Sequence, residues 1–233
     1  MTRPLTLISS MATRELLAAL AARYEQEFAR KLVTEAAGGV DVSRRVEAGE
    51  KVDVVVLAAN AIDKLIASGK LLAGRVDLVQ SGIALAVRAG AALPKVGSED
   101  DVRRAVLEAE SLSYSSGPSG QYLETLFNRW NIMQQIRDRI VVPPPGIPVG
   151  SLVADGRVAL GFQQLSELMN LPGIAVLGPL PDSIQSMTVF SGAVSASSDA
   201  ADAARAVLEF MAAPETASIK IQYGMQRPGR ADA

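Results

Sequence analysis

Short apolar runs alternate with segments of helical periodicity along most of this 233-residue chain. Residues 5–8 form the first apolar run, and a segment with apolar residues at helical spacing follows it. The run at residues 52–57 is rich in valine, which is typical of a strand that is covered on both faces of a sheet. The order β-α-β-α-β-α therefore predicts an α/β fold with a mainly parallel sheet.

A second strand-helix series begins near residue 98 and predicts a second lobe. Before it lie two predicted strands, residues 76–79 and 83–87, separated by Ser81-Gly82. We place one chain crossing at this dipeptide and the return near residues 186–191. The predicted fold class is α/β, with two α/β lobes that have mainly parallel sheets and are joined by two crossing strands. Lobe one is expected to contain residues 1–81 and 190–233, and lobe two residues 82–189. A cleft between two such lobes is a common site for small ligands.

The composition excludes several kinds of chemistry. The chain has no histidine and no cysteine, so it cannot contain a Ser-His-Asp triad, a thiol nucleophile or a Cys/His metal site. Glycine-rich dinucleotide and P-loop motifs are also absent. We therefore expect no cofactor and no metal, although a site that consists only of carboxylates and binds a hard cation is still possible. The net charge of −2 argues against nucleic acid as a partner.

The sequence shows no run of apolar residues that reaches the ~18 needed for a membrane span, so we expect that the protein is not embedded in a membrane. The first residues lack the pattern of a secretory signal. This predicts a cytoplasmic protein for the sequence as written and a periplasmic protein if the sequence is a processed form. The sequence does not decide between a monomer and a homodimer.

Three loops rich in serine or glycine follow predicted strands and precede predicted helices. They are residues 9–12, 115–120 and 146–150. The N-terminus of a helix presents backbone N–H groups and the positive end of the helix dipole, which favours an anion there. Ordinary N-capping is the alternative for each loop. Since the loops occur in both predicted lobes, we expect a small anion to bind between them.

Charged and phenolic side chains near these loops are further candidates. Arg14 lies one turn into the first helix, and its guanidinium suits a carboxylate, with an exposed helix face as the alternative. Glu167 follows a strand of lobe two, where open α/β sheets bind their ligands. Tyr114 directly precedes the second loop. We consider Glu167 and Tyr114 as candidates for proton transfer, with a surface or capping role as the alternative for each.

Several segments, in this order, resemble the type II periplasmic-binding-protein superfamily, in particular its molybdate-binding-protein-like branch. The similarity extends over nearly the whole chain. The segments that carry it are residues 7–12, 51–56, 115–120, 148–150, 153–161 and 163–168.

The resemblance implies a fold and a set of ligand contacts. Members have two α/β lobes joined by two crossing strands, with the ligand in the cleft at the hinge. In the molybdate binders, serine hydroxyls and backbone amides hold the oxyanion; by position these roles fall on Ser10 or Ser9, on Ser116 and on Val149. The second serine of the family maps to residues 58–60, where Asn60 would replace it. The full set of predicted ligand-binding residues is Ser9, Ser10, Met11, Arg14, Asn60, Ser115, Ser116, Gly117, Ser119, Pro148, Val149 and Gln164.

Two functions remain open, and a weaker third is an intracellular ligand sensor. The first is a substrate-binding protein of the molybdate type for a small anion, more readily an organic polycarboxylate than a metal oxyanion, with an ABC-transporter permease as partner if it is exported. The alternative is a cofactor-free isomerase that moves a double bond in an unsaturated di- or tricarboxylate, since the branch includes aconitate-isomerase-like proteins. Such a reaction needs a base and donors for the developing charge. Glu167 or Tyr114 would move the proton.

Overall fold

A computed structural model describes residues 3–144 and 146–229 of the chain. The chain divides into two units. Unit one runs to Gln80 and resumes at Val189, and unit two is Ser81–Thr188. Within the described residues, no helix has the length and apolar character needed to cross a membrane.

Strands and helices alternate in both units. The strands are β1 (Leu5–Ser10), β2 (Leu32–Ala37), β3 (Val54–Ala58), β4 (Val76–Arg88), β5 (Leu112–Tyr114), β6 (Ile140–Val141), β7 (Leu160–Gln164), β8 (Ile174–Pro179) and β9 (Met187–Val194). The helices are α1 (Arg14–Phe28), α2 (Gly39–Glu47), α3 (Ala59–Ala67), α4 (Glu99–Glu108), α5 (Pro118–Arg129), α6 (Met133–Ile136), α7 (Val149–Ala154), α8 (Leu165–Leu168), α9 (Ala201–Ala212) and α10 (Ala217–Gln222). Strands β4 and β9 carry the chain out of unit one and back into it, so the predicted α/β fold with two crossing strands is confirmed.

The sheet of unit one is covered on both faces. Strand β1 pairs in parallel with β2 and with β3, and β9 pairs antiparallel with β3. Along β3, Val54 and Val56 pack into the core formed with α1 and α9, whereas Val55 and Leu57 pack into the core formed with α2 and α3. Because both faces of β3 are buried, its residues are apolar without alternation.

The sheet of unit two combines parallel and antiparallel pairs. Strand β5 pairs in parallel with β6 and β7, while β4 pairs antiparallel with β7 and β8. Helix α5 covers this sheet through Phe127, whose ring centroid lies 6.0 Å from that of Phe162 on β7. Both side chains are fully buried, so they anchor the helix that follows the loop at residues 115–117.

The predicted break at Ser81-Gly82 is wrong, because β4 is one strand of 13 residues that runs through this dipeptide. Gly82 makes room for a side chain instead of forming a turn. A Cβ on Gly82 would lie 2.9 Å from Nε2 of Gln185. Gln185 hydrogen bonds along the strand, with Oε1 accepting from the Ile83 N–H at 2.8 Å and Nε2 donating to the Ile83 carbonyl at 3.1 Å.

Candidate functional site

The carboxyl ends of β1, β2 and β3 lie at the same edge of the sheet in unit one, because these strands are parallel. Ser10 ends β1 and is paired with Ala37, which ends β2. Helices α2 and α3 begin at Gly39 and Ala59, close behind their strands. The first N–H groups of a helix have no acceptor within the helix. This edge therefore presents backbone donors together with the positive ends of helix dipoles.

The hydroxyl of Ser10 is buried at this edge without a hydrogen-bond partner among the described residues. Ser10 is 8% exposed, and its Cβ lies 3.7 Å from the position that a Cβ on Gly39 would occupy. The side chain thus lies beside the first residue of α2. A buried hydroxyl without a partner costs about 1–3 kcal/mol. A bound anion that accepts a hydrogen bond from Ser10 would recover this cost.

Ser9 is also buried, but its hydroxyl faces the backbone of its own unit. Its Oγ lies 3.3 Å from the carbonyl oxygen of Ser10 and 3.5 Å from that of Glu35, and donates to them. Successive residues of a strand point to opposite faces of the sheet. Ser10 is therefore the better candidate of the two serines for contact with a ligand.

Three other residues predicted in unit one lie near helix starts. Met11 is half-buried and begins a short 3₁₀ turn that leads into α1. Arg14 is exposed, and its Nη2 is 3.4 Å from Oε1 of Glu15. Asn60 is exposed at the second position of α3.

The loop next to Ser10 is the one after β2, which sequence reasoning missed. It contains Gly38, the N-cap residue of α2, which makes no side-chain cap hydrogen bond, and Gly39, the first residue of the helix. The signal for it was the pair of adjacent glycines before a helical segment. A Cβ on Gly39 would meet the Ser10 Cβ at an ordinary contact distance of 3.7 Å, so the serine side chain and the helix start are neighbours.

In unit two, three helices begin beyond the carboxyl ends of parallel strands. Tyr114 ends β5 and is paired with Phe162 on β7. Ser115 and Gln163 are the next residues along these two strands. Helix α5 begins at Pro118 after the loop that starts with Ser115, and α8 begins directly after β7. Helix α7 follows β6, which is parallel to β5. This is the edge at which open α/β sheets bind ligands.

The loop after β5 folds back onto the first turn of α5. The hydroxyls of Ser115 and Ser119 are 3.2 Å apart. A Cβ on Gly120 would lie 1.7 Å from the carbonyl oxygen of Ser115, so this close approach requires glycine. Ser116 is exposed, and Gly117 is the N-cap residue.

None of the three predicted loops uses a serine as a side-chain cap. The N-cap positions Ser10, Gly117 and Pro148 make no side-chain cap hydrogen bond. The capping alternative therefore does not explain the hydroxyl groups in these loops.

Tyr114 packs in the core of unit two, with its ring beside Gly120 in the first turn of α5. Its side chain is buried, and its hydroxyl donates to Oε1 of Glu124 on α5 at 3.1 Å. Burial, followed by the charge of Glu124, raises the pKa of Tyr114 to about 12. Its ring centroid is 6.2 Å from that of Phe127. These contacts fix Tyr114 in the core beneath α5.

Glu167 is connected to the first turn of α7 through a glutamine. The backbone N–H of Gly150 donates to Oε1 of Gln163 at 3.2 Å, and Nε2 of Gln163 donates to Oε2 of Glu167 at 2.6 Å. Pro148 is the N-cap residue of α7, and Val149 is its fully buried first residue. The structure thus brings the predicted residues Val149 and Glu167 into one cluster, with Gln163 as a member that was not predicted.

Glycines allow α7 to pack closely at this cluster. A Cβ on Gly161 of β7 would lie 2.6 Å from Cγ2 of Val153, and a Cβ on Gly150 would lie 2.6 Å from Cδ2 of Leu171. Either added methyl group would push the helix away. The position of the Gly150 N–H next to Gln163 therefore depends on both glycines.

Gln164, which is a predicted ligand contact, forms hydrogen bonds to the two crossing strands β4 and β9. With the amide oriented so that both of its ends are satisfied, Nε2 donates to the carbonyl oxygens of Ser81 at 2.9 Å and Gly82 at 3.2 Å, and Oε1 accepts from the Thr188 hydroxyl at 2.9 Å. The hydroxyl of Ser81 is buried and has no partner among residues 3–144 and 146–229.

The candidate site residues offer mainly neutral donors. In unit one these are the Ser10 hydroxyl and the first N–H groups of α2 and α3; in unit two they are the Ser116 hydroxyl and the first N–H groups of the helices, while the Glu167 carboxylate is an acceptor. Across the part of the chain that the structure describes, no group of three or more acidic side chains could hold a metal ion. Donors of these kinds can bind an anion through hydrogen bonds, and a carboxylate such as that of Glu167 can transfer a proton.

Comparison with known proteins identifies a matching family and a similar enzyme. A family model described as bacterial extracellular solute-binding protein matches residues 5–226. An aconitate isomerase from a Pseudomonas species is 39% identical over 231 residues, which cover 95% of this chain and 87% of the relative.

Two solved structures share the fold. The periplasmic molybdate-binding protein of Azotobacter vinelandii superposes with a TM-score of 0.79 at 19% identity, over 97% of this chain and 100% of that one. The sulfate-binding protein of Mycobacterium tuberculosis superposes with a TM-score of 0.79 at 16% identity, over 99% of this chain and 88% of that one. The predicted resemblance to the molybdate-binding-like branch of periplasmic binding proteins is confirmed.

Proposed function

We propose that this chain, which belongs to the family of bacterial extracellular solute-binding proteins, binds a small organic polycarboxylate. The observation that supports this most is the buried Ser10 hydroxyl, which has no partner in the described chain and lies beside the start of α2. Within unit two, the Ser116 hydroxyl and the N–H of Val149 are the candidate donors. Carboxylate oxygens accept such hydrogen bonds.

An organic acid suits these donors better than a metal oxyanion. An anion with more than one acidic group has more oxygen atoms that can accept hydrogen bonds from such donors. The relative that is 39% identical over 95% of this chain carries the name of an enzyme for aconitate, a tricarboxylate. Arg14 is exposed at the start of α1 and would add a charged contact.

Isomerisation of the bound acid is a second candidate function. It is favoured by the carboxylate of Glu167, which Gln163 holds next to the first turn of α7. Glu167 would remove a proton from the methylene carbon next to the double bond, and the electron pair would spread over the allylic carbons and a carboxylate. Returning that proton to the far carbon moves the double bond by one position and restores the Glu167 carboxylate. Helix N–H groups would stabilise the intermediate charge. Because Tyr114 lies in the core, Glu167 alone is assigned the proton.

Whether the protein is exported and has a transport partner depends on which of the two functions holds. Binding without turnover would fit a periplasmic receptor that delivers its ligand to an ABC-transporter permease. Turnover would fit an enzyme that uses the same scaffold. The homodimer stays a prediction, and light scattering of the purified protein would test it.

Two measurements on purified protein test these functions. Thermal denaturation with trans-aconitate, cis-aconitate, citrate, molybdate and sulfate reports binding, because a ligand that binds only the native state raises the Tm. Proton NMR of trans-aconitate reports the formation of the cis isomer, with Glu167→Gln as the inactive comparison. A rise in Tm with the carboxylates supports the binding function. Turnover that is lost in Glu167→Gln supports the enzyme function, whereas binding without turnover supports only the receptor function.

A further inference from the structure

Gln163 has a fixed orientation between two partners. It is 2% exposed and follows Phe162 near the carboxyl end of β7. Its Oε1 accepts from the Gly150 N–H at 3.2 Å, and its Nε2 donates to Oε2 of Glu167 at 2.6 Å. A backbone N–H can only donate, so the amide oxygen has to face Gly150 and the amide nitrogen has to face Glu167.

We infer that Gln163 is the positioning residue for Glu167 in the proposed isomerisation, and this inference rests on that function. Glu167 lies on α8, a helix of four residues, which provides little rigidity by itself. Gln163 lies on the sheet and is itself held by α7, so its hydrogen bond ties the carboxylate to a rigid element. Proton transfer needs the base held in a narrow range of geometry.

The same hydrogen bond also acts on the charged form of the base. An N–H that donates to a carboxylate favours its ionised form, and only the ionised form of Glu167 can accept a proton. Gln163 donates through a neutral amide, so it adds no charge that would repel or trap an anionic substrate. Gln163 therefore links the ligand loop at Gly150 to the protonation state of Glu167.

Two substitutions separate positioning from packing. Gln163→Glu keeps the length of the side chain and an acceptor for the Gly150 N–H, but it places a second carboxylate against Glu167, and two adjacent carboxylates retain a shared proton. Gln163→Met keeps the volume and removes both hydrogen bonds. Gln222→Met, on the exposed face of α10, is the matched control. Thermal denaturation of each variant without ligand reports whether it is folded.

The readouts are the pH profile of trans-aconitate turnover, kcat and KM, and the titration of the Glu167 carboxyl followed by carbon NMR. In Gln163→Glu we expect the acid limb of the profile and the NMR midpoint to move up by about 1 pH unit or more, and kcat at pH 7 to fall roughly tenfold with KM little changed. Gln163→Met should shift the midpoint in the same direction by less.

The outcomes distinguish this role from the function on which it rests. One outcome is that folded Gln163→Glu and Gln163→Met turn over trans-aconitate like the wild type, with unaltered pH profiles. In that case Gln163 serves only in packing, and the inference is overturned although the isomerase function is supported. If the wild-type protein binds trans-aconitate without turning it over, the isomerase and the positioning role fall together.

Discussion

The side chain of Ser10 lies against the first residue of α2, with its Cβ 3.7 Å from the position of a Cβ on Gly39. This relationship joins the end of β1 to the start of α2. The Ser10 hydroxyl is buried and has no partner within the described residues, so it is free to donate a hydrogen bond to a ligand at this point.

Ser10→Ala should weaken polycarboxylate binding roughly 10- to 100-fold, because it removes a hydrogen bond to a charged group. The free energy of unfolding without ligand should stay the same or rise slightly, since the variant also removes a buried hydroxyl that lacks a partner. Calorimetric titration and chemical denaturation measure the two effects. Ser9→Ala is the comparison, because the Ser9 hydroxyl donates to backbone carbonyls. Equal losses of affinity in the two variants would contradict the choice of Ser10.

Gly120→Ala should destabilise unit two by roughly 2–3 kcal/mol, because its Cβ would lie 1.7 Å from the Ser115 carbonyl oxygen and the loop would have to move. Since that loop carries Ser116, anion affinity should fall as well. Gly117→Ala is the control for stability: its Cβ would meet only Ser115 Oγ, at an ordinary 3.6 Å. Urea denaturation checks the expectation, and equal stability of both variants would contradict it.

Asp53 holds the N-terminal segment through Arg3. The carboxylate accepts from Nη1 and Nη2 of Arg3 at 2.8 and 2.7 Å, and from the Thr6 N–H and the Ser198 hydroxyl at 2.9 and 2.6 Å. The Arg3 hydrogen bonds are the largest cause that holds the pKa of Asp53 well below its usual 3.8. A lowered carboxyl pKa adds stability above pH 3.8, and this stability is lost as the pH falls.

Asp53→Asn should therefore cost about 2 kcal/mol at pH 7 and flatten the loss of stability in acid. Denaturation at pH 7 and at pH 3 measures both effects. Asp63→Asn is the control, because the pair of Asp63 with Arg75 is exposed and such pairs contribute less than about 1 kcal/mol. An unchanged acid dependence in Asp53→Asn would show that this carboxylate does not contribute to it.

Lys220 is fully buried on α10, and its Nζ has no hydrogen-bond partner in the described chain. Burial, assisted by the charge of Arg227, lowers the pKa of Lys220 to about 8 from 10.5. The unfolded chain then binds a proton that the folded chain does not between pH 8 and 10.5, so this group makes stability rise with pH across that window.

Lys220→Met should increase the free energy of unfolding at pH 7 by roughly 1–3 kcal/mol, because no ammonium group has to be buried. The gain should shrink as the pH rises toward 10. Denaturation curves of the wild type and the variant at pH 7 and pH 10 test this. Lys64→Met, at an exposed position of α3, is the control. A destabilised Lys220→Met would mean that the amine has a favourable role that its surroundings do not reveal.

Local patterns were sufficient for most of the fold. The apolar runs at residues 5–8 and 52–57 lie at or close to β1 and β3, because strands and helices buried on one or both faces have distinct periodicities. The break at Ser81-Gly82 was wrong for a physical reason: Gly82 makes room for Gln185, which is more than 100 residues further along the chain. A local sequence window contains no sign of such a contact.

The candidate site was harder to predict from the sequence, because it also depends on contacts between separate elements. The loops at Ser10 and Ser115 were found because serine and glycine before a helix form a local signal. The direction of a side chain is set by tertiary packing, so the burial of Tyr114 beneath α5 was not visible. The hydrogen bond from Gln163 on β7 to Glu167 on α8 joins residues that are close in the sequence, but its importance depends on Gly150, which belongs to another element.

The most direct test of the account is a calorimetric titration of the purified wild-type protein with trans-aconitate. We predict one binding site per chain and a clear loss of affinity in Ser10→Ala under the same conditions. A titration without binding heat, together with an unchanged Tm in the presence of trans-aconitate, cis-aconitate and citrate, would contradict the proposal that this chain binds a polycarboxylate.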